Sequence, residues 1–262
     1  MSGLPNLGNT CYINSILQCL RYQRHFVNSI KDYDHSKDDL FDKHFIDLMF
    51  LDYDNAVLQS FITKLAKMEN SPFQLFRQSD AHELYLFLMD NFYETHKLNN
   101  PFKGQYESTI TCSLCNNESK TKQDFMSLSV SLVSEDVQEC IKDFEKEETL
   151  QGIECEKCNQ RSDATKRINI VQYPNTLVVH LKRFTNHLKK AEENISLNDM
   201  SVYTLSATCN HSGTVSFGHY TATVKKSNGG WTFCNDNFIK EINQFPEKSE
   251  MPYVLFYEKY KN

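Results

Sequence analysis

Over the first hundred residues the apolar positions recur with the 3.6-residue period of helices. Ile13, Ile16, Leu17 and Leu20 fall at i, i+3, i+4 and i+7, one face of an amphipathic helix. Segments 39–51 and 55–68 are spaced roughly for two more helices. Residues 80–96 carry Ala81, Leu84, Tyr85, Leu88 and Phe92 on a single face. From about residue 105 the period changes to two. Met126, Leu128, Val130 and Leu132 alternate with serines, and 175–184, 218–224, 231–234 and 252–257 read as strands. A helical half followed by a sheet half predicts an α+β fold.

The chemistry is concentrated where the first helix begins. Gly3, Pro5, Asn6, Gly8 and Asn9 disfavour regular structure, so Cys11 stands where a loop meets a helix N-terminus. Unpaired amides and the helix dipole favour the nucleophilic thiolate there. His219 lies at the start of a strand-like run, and Asn235-Asp236 follows it by 16 residues. Cys, then His, then Asn is the order of a thiol-protease triad, which assembles in space. Asn235 is expected to orient the imidazole through Nδ1 and leave Nε2 for the thiol. The amide of Asn6 can donate to a tetrahedral oxyanion, with the Cys11 N–H as second donor. The alternative for Asn6 is a bond to its own loop backbone.

Two further patterns carry chemistry. Cys112-x-x-Cys115 and Cys155-x-x-Cys158 each offer two thiolates from one tight turn, and together they predict a four-thiolate Zn²⁺ site. The long gap between the pairs fits two distant β-turns clipped together. Four protein ligands leave no open position, so the metal is structural; four reduced thiols without metal are the alternative. Asp80 and Glu83 have the spacing of a capping box for the helix over 80–96. Cys19 reads as core and His180 as a satisfied strand residue.

In this order the motifs resemble those of the ubiquitin-specific proteases (USPs), cysteine deubiquitinases of the papain-like clan. The Cys segment is residues 3–20. Gln78-Ser79-Asp80-Ala81-His82-Glu83 matches the family's Gln-x-Asp-Ala-x-Glu, and the CxxC pairs match its zinc knuckles. Leu181-Lys182-Arg183-Phe184 matches its Leu-Lys-Arg-Phe strand. His211-Ser212-Gly213, Gly218-His219-Tyr220, Trp231, Asn235-Asp236 and Tyr253-Val254-Leu255-Phe256-Tyr257 match its His segment.

The resemblance implies a single catalytic domain over 1–262. Its helical thumb would span about 1–100, its zinc-bearing β-ribbon fingers about 105–127 and 145–170, and its β-sheet palm about 128–144 and 171–262. The implied reaction is hydrolysis of the isopeptide or peptide bond after the C-terminal glycine of ubiquitin, through a thioester. Cys11 would be the nucleophile, His219 the general base, Asn235 the third triad member, Asp236 its support and Asn6 the oxyanion donor. Gln78, Asp80 and Glu83 would face the substrate, the two acids meeting ubiquitin's basic tail. His211 would sit in a loop near that tail. Gly213 and Gly218 would flank a channel admitting only Gly-Gly, with Tyr220 as a wall; shaping a hairpin is the other reading of these glycines. One departure stands out: Cys234 precedes Asn235 where an aromatic is usual. Ubiquitin and ubiquitinated proteins are the expected partners of a monomeric chain.

Composition agrees with this reading. A chain of 262 residues, 40% apolar and 24% charged, is an ordinary globular protein. No apolar run approaches a membrane span, and no basic-then-apolar leader is visible. A net charge of −6 argues against nucleic acid as main partner, as do the acids of segment 135–156 between the CxxC pairs. Nine cysteines, an odd count, favour a reducing intracellular compartment, cytoplasm or nucleus. A protease for a ubiquitin-like modifier and an inactive ubiquitin-binding scaffold are the competing readings; a scaffold normally lacks Cys, His or Asn, and all three are present. Only 18 residues separate Phe184 from Tyr203, which predicts a reduced blocking loop over the cleft.

Overall fold

The computed structural model describes residues 2–34, 39–50, 54–184, 190–214 and 217–260. The helical half comprises α1 (Cys11–Arg21), α2 (Arg24–Ile30), α3 (Leu40–Met49), α4 (Asn55–Leu65) and α5 (Ala81–His96). Three of these helices start on an aspartate that accepts backbone N–H bonds: Asp39, Asp54 and Asp80. Thereafter come β1 (Gly104–Cys112), β2 (Glu118–Phe125), β3 (Leu128–Val130), α6 (Val137–Phe144), β4 (Glu148–Cys155), β5 (Gln160–Gln172) and β6 (Thr176–Leu181). The chain continues with β7 (Ile195–Ser196), β8 (Tyr203–Gly213), β9 (Gly218–Lys225), β10 (Trp231–Asn235), β11 (Phe238–Ile242), β12 (Lys248–Ser249) and β13 (Pro252–Lys259).

The strands form two main sheets. One has seven strands in the order β11-β10-β9-β8-β13-β6-β3, antiparallel except for the β3–β6 pair. The other has four, β2-β1-β5-β4, all antiparallel. The seven-stranded sheet separates two apolar cores. Along β13, Val254 and Phe256 join the core beneath α1–α5, while Leu255 and Tyr257 join the core against α6. This is the period-two alternation of a sheet covered on both faces.

Two elements differ from expectation. The alternating run 126–132 supplies only the short β3. Helix α6 interrupts the sheet half, starting on Asp136, which caps the Gln138 N–H at 2.8 Å.

Helix α1 is also more deeply set than a one-faced helix. All eleven of its residues are buried. Most of its polar face is bonded internally, although Asn14 Oδ1 is buried without a partner among the described residues. Asn14 Nδ2 donates to the Leu4 and Pro5 carbonyls at 3.1 and 3.2 Å, Gln18 Nε2 to the Ser2 carbonyl at 3.1 Å, and Arg21 Nε to the Leu48 carbonyl at 2.6 Å. The helix that begins with Cys11 is thus the central strut between the other helices and strands β8–β10. Arg183 is also fully buried. Its guanidinium donates to the carbonyls of Pro252, Ala191 and Glu193 at 2.5, 2.9 and 2.9 Å, pinning the segment after β6 against β13. Of the short 184–203 connection expected to carry a reduced blocking loop, residues 185–189 lie outside the described residues.

Candidate active site

The loop before α1 turns through Gly8 and Asn9, both with positive φ (102° and 56°). A Cβ on Gly8 would lie 2.5 Å from the exposed ring of Phe76, which would have to shift, and the φ itself disfavours any side chain. Asn6 Oδ1 accepts the N–H groups of Gly8 and Thr10 at 3.1 and 3.2 Å, which shapes the loop that delivers Cys11. The Cys11 thiol is 4% exposed. Its pKa is raised, chiefly by burial and also by the Asp236 charge. Backbone N–H bonds from Tyr220, Tyr12 and Cys11 itself pull the other way. The expected helix-terminus activation is therefore outweighed by desolvation.

His219 lies on β9, opposite Ser212 of β8. Its Nε2 sits 2.8 Å from Asn235 Oδ1 at the end of β10. This reverses the expected use of the ring: Asn235 engages Nε2, and Nδ1 is the nitrogen left for the thiol. The strand pairing of β9 with β10 brings the asparagine to the far ring nitrogen, a matter of side-chain direction that sequence order does not encode. Asp236 follows in a left-handed turn (φ 49°). Its Oδ1 accepts from Asn14 Nδ2 at 2.7 Å, its Oδ2 from Asn6 Nδ2 at 3.0 Å, and its carbonyl from the Leu4 N–H at 3.0 Å. Asp236 therefore ties the β10–β11 turn to the Cys11 loop and directs the Asn6 amide. Cys234, at the position of the usual aromatic, is 2% exposed in the core beneath the helices.

The expected substrate-facing residues divide. Gln78 reaches across the cleft: its Nε2 donates to the Gly218 carbonyl and lies 4.0 Å from Cys11 Sγ, and its Oε1 accepts the Gly218 N–H at 3.5 Å. Asp80 Oδ1 caps α5 by accepting the Glu83 N–H at 2.8 Å, and its Oδ2 accepts the Tyr253 hydroxyl. Glu83 is exposed.

His211 is not in a loop but on β8, 2% exposed, between the rings of Tyr220 (4.7 Å) and Phe184 (5.2 Å). Burial lowers its pKa to about 4. Tyr220 is 5% exposed, so its ring belongs to the core under His211 and Tyr253 rather than to an open channel wall. The glycines answer to their own hairpin. A Cβ on Gly213 (φ 93°) would meet the Phe217 carbonyl oxygen at 2.4 Å, and one on Gly218 would meet His211 Nε2 at 2.0 Å. His180 is only half satisfied. Its Nδ1 pairs with Ser129 Oγ at 2.9 Å and its ring stacks on His82 at 4.0 Å, while Nε2 is buried without a partner.

The sequence reading missed Tyr253 and Asn14 as parts of this site. Asn14 had a signal: three residues after Cys11, it shares that residue's helical face.

The four CxxC cysteines converge at the end of the four-stranded sheet, their sulfurs all within 4.8 Å of one another. Cys115 Sγ and Cys155 Sγ are 3.7 Å apart. A tetrahedral Zn²⁺ with ~2.3 Å bonds to sulfur requires edges of about 3.8 Å, so the cluster fits the ion. Each pair is followed by an asparagine in the left-handed region, Asn116 and Asn159 (φ 51° each). Their N–H groups bond back to the Cys112 and Cys155 carbonyls at 3.0 and 2.8 Å. The Cys-x-x-Cys-Asn repeat was a readable signal for these knuckles.

The family pattern described as "Ubiquitin carboxyl-terminal hydrolase" matches residues 2–257. Ubiquitin carboxyl-terminal hydrolase 8 of Saccharomyces cerevisiae is 29% identical over 98% of this chain and 70% of its own length. Ubiquitin carboxyl-terminal hydrolase 25 of Arabidopsis thaliana is 31% identical over 98% of this chain, which spans only 47% of the plant protein. Among solved structures, the SAGA DUB module Ubp8/Sgf11/Sus1/Sgf73 bound to monoubiquitin contains a chain superposing with a TM-score of 0.84 at 29% identity. The match covers all of this chain and 69% of that one. The same module bound to ubiquitin aldehyde gives 0.82 at 26% identity, covering all of this chain and 70% of that one. Both solved structures are of a module of four named proteins, which lends no support to the expectation of a solitary chain.

Proposed function

The chain belongs to the ubiquitin carboxyl-terminal hydrolase family, cysteine-type deubiquitinases, and from that premise we propose that Cys11, His219 and Asn235 cleave the bond after ubiquitin's terminal glycine. One observation carries the assignment: Gln78 Nε2 lies 4.0 Å from Cys11 Sγ and donates to the carbonyl of Gly218, the residue before His219, whose Nε2 is held by Asn235 at 2.8 Å. In this reading nucleophile and base face one another across the cleft between the helical half and the seven-stranded sheet.

The steps follow from the atoms. His219 Nδ1 takes the Cys11 proton while Asn235 Oδ1 holds the Nε2–H. The thiolate attacks the glycine carbonyl carbon. The oxyanion is received by the Cys11 N–H and by the second Asn6 amide hydrogen, the first being engaged by Asp236. His219 then protonates the leaving lysine amine, and water, deprotonated by the same imidazole, hydrolyses the thioester.

In this reading α1–α5 form the thumb, the seven-stranded sheet the palm and the four-stranded sheet the fingers of one domain. Asp80 already serves the α5 cap and Tyr253, so exposed Glu83 is the freer acid for ubiquitin's basic tail. Cys112, Cys115, Cys155 and Cys158 would hold a Zn²⁺ that clips the fingers together, contributing to folding and leaving no open position for a water. Nine cysteines, none of them in a disulfide, support a reducing, intracellular setting.

The decisive experiment is reaction with ubiquitin bearing a C-terminal electrophile, followed by mass mapping. The adduct is expected on Cys11 alone, with Cys11→Ala unreactive yet still binding ubiquitin. No adduct, or one on another cysteine, overturns the assignment. Preference for a ubiquitin-like modifier in a parallel panel would redirect the substrate.

A further inference from the structure

We propose that Gln78 is a positioning residue for the Cys11–His219 pair, setting the distance between nucleophile and base in the free enzyme. The inference rests on the catalytic reading above and goes beyond a substrate contact.

β9 carries His219 between two points where the helical half grips its backbone. On one side, Gln78 clasps both the carbonyl and the N–H of Gly218. On the other, the Tyr220 backbone lies near enough to the Cys11 thiol to pull its pKa down against burial. The same Gln78 Nε2 lies 4.0 Å from Cys11 Sγ, so one amide touches both the strand that carries the base and the nucleophile.

The Gln78 anchor is itself held. Two residues later Asp80 caps α5 and accepts the hydroxyl of Tyr253 on β13, which fixes the start of the helix to the sheet. The clasped backbone has no slack either. Gly218 is packed against His211 Nε2, and Gly213 opposite it against the Phe217 carbonyl. Removing Gln78 therefore releases the strand beside the base, while Asn235 still orients the ring. Displacements of about 1 Å in such pairs are costly to rate, with effects reaching the order of a hundredfold.

The test uses the whole chain, with Gln78→Ala and the near-isosteric Gln78→Glu. Two readouts are taken: steady-state hydrolysis of a ubiquitin–fluorophore conjugate, and substrate-free alkylation of Cys11 by iodoacetamide against pH, mapped by mass. Both variants should lose about tenfold in kcat with KM within about threefold of wild type, the mark of lost alignment rather than lost binding. Gln78→Glu places a carboxylate where the amide lay, ~4 Å from sulfur, and should move the alkylation profile about one pH unit upward. If Gln78→Ala fails to fold, Gln78→Glu decides. Raised KM with wild-type kcat and an unshifted alkylation profile would overturn the proposal and leave Gln78 a substrate contact only. Failure of the catalytic reading is distinct: the wild type itself would then not hydrolyse the conjugate.

Discussion

Asp236→Asn should make Cys11 more acidic and the enzyme slower. The carboxylate accepts from buried Asn14 at 2.7 Å and from Asn6 at 3.0 Å, and its charge raises the thiol pKa. An asparagine retains one acceptor oxygen. That oxygen is expected to face Asn14, which is 2% exposed, so the new NH₂ confronts the Asn6 amide, donor against donor. The lost bond is charge-assisted, worth ~1.5–3 kcal/mol when buried; Asn6 can turn to water, so about 1–2 kcal/mol is expected. For a chain of this size that lowers the Tm by roughly 2–8 °C. Losing the partner that directs Asn6 misplaces one oxyanion donor, whose complete removal costs ~100–1,000-fold, so kcat should fall at least about tenfold. Removing the anion should meanwhile speed substrate-free alkylation of Cys11 at pH 7. Stopped-flow alkylation, ubiquitin–fluorophore turnover and thermal melts measure the three quantities. Unchanged kcat, or alkylation that slows, refutes the role given to Asp236.

Four other outcomes are expected. The protein should purify with about one zinc per chain, and Cys155→Ser should lower both metal content and Tm; metal-free protein of full stability would contradict the zinc assignment. Glu83→Gln should raise KM for ubiquitin about three- to tenfold, an effect that shrinks in high salt, at constant Tm. Asp80→Asn should instead cost a few degrees of Tm through its bond to Tyr253; the reverse pattern would swap the two roles. Stability should fall as pH drops from about 6.5 toward 4. His211 stays neutral in the fold, its pKa lowered to about 4 by burial, whereas the unfolded residue takes a proton near 6.5. The unfolded state thus binds more protons in that window, worth roughly 2 kcal/mol at pH 5 from His211 alone. Urea midpoints that stay flat between pH 7 and 5 would refute this.

What the sequence made legible was periodicity and order. Helix α5 follows its apolar face and Asp80 cap to within a residue, and the CxxC spacing marks the four sulfurs that converge. Other features needed the third dimension. Strand β2 is exposed along seven of its eight residues, so it has no alternation to read. Helix α6 did carry a signal, Asp136 and Glu139 at capping-box spacing among the apolar Val137, Cys140 and Ile141, but it is short and acidic and lies among strands. The resting state of Cys11 depends on burial by β9, and the ring nitrogen facing Asn235 depends on rotamer. His211 reads as a polar loop residue until Phe184, Tyr220 and Tyr253 close around it.

The burial of α1 on every side has a consequence for biosynthesis. On its polar face Asn14 waits for Asp236, 222 residues further along, and its apolar face waits for β8–β10. At ~5–20 residues per second, a ribosome takes about 10–45 s to travel from Cys11 to Asp236. For most of that interval the helix has no native neighbours on its sheet side, and the leucines and isoleucines facing it are open to chaperones or to other nascent chains. The residues of the reactive centre also remain apart for as long. A stalled or prematurely terminated product is therefore an inert, sticky fragment rather than an unregulated protease.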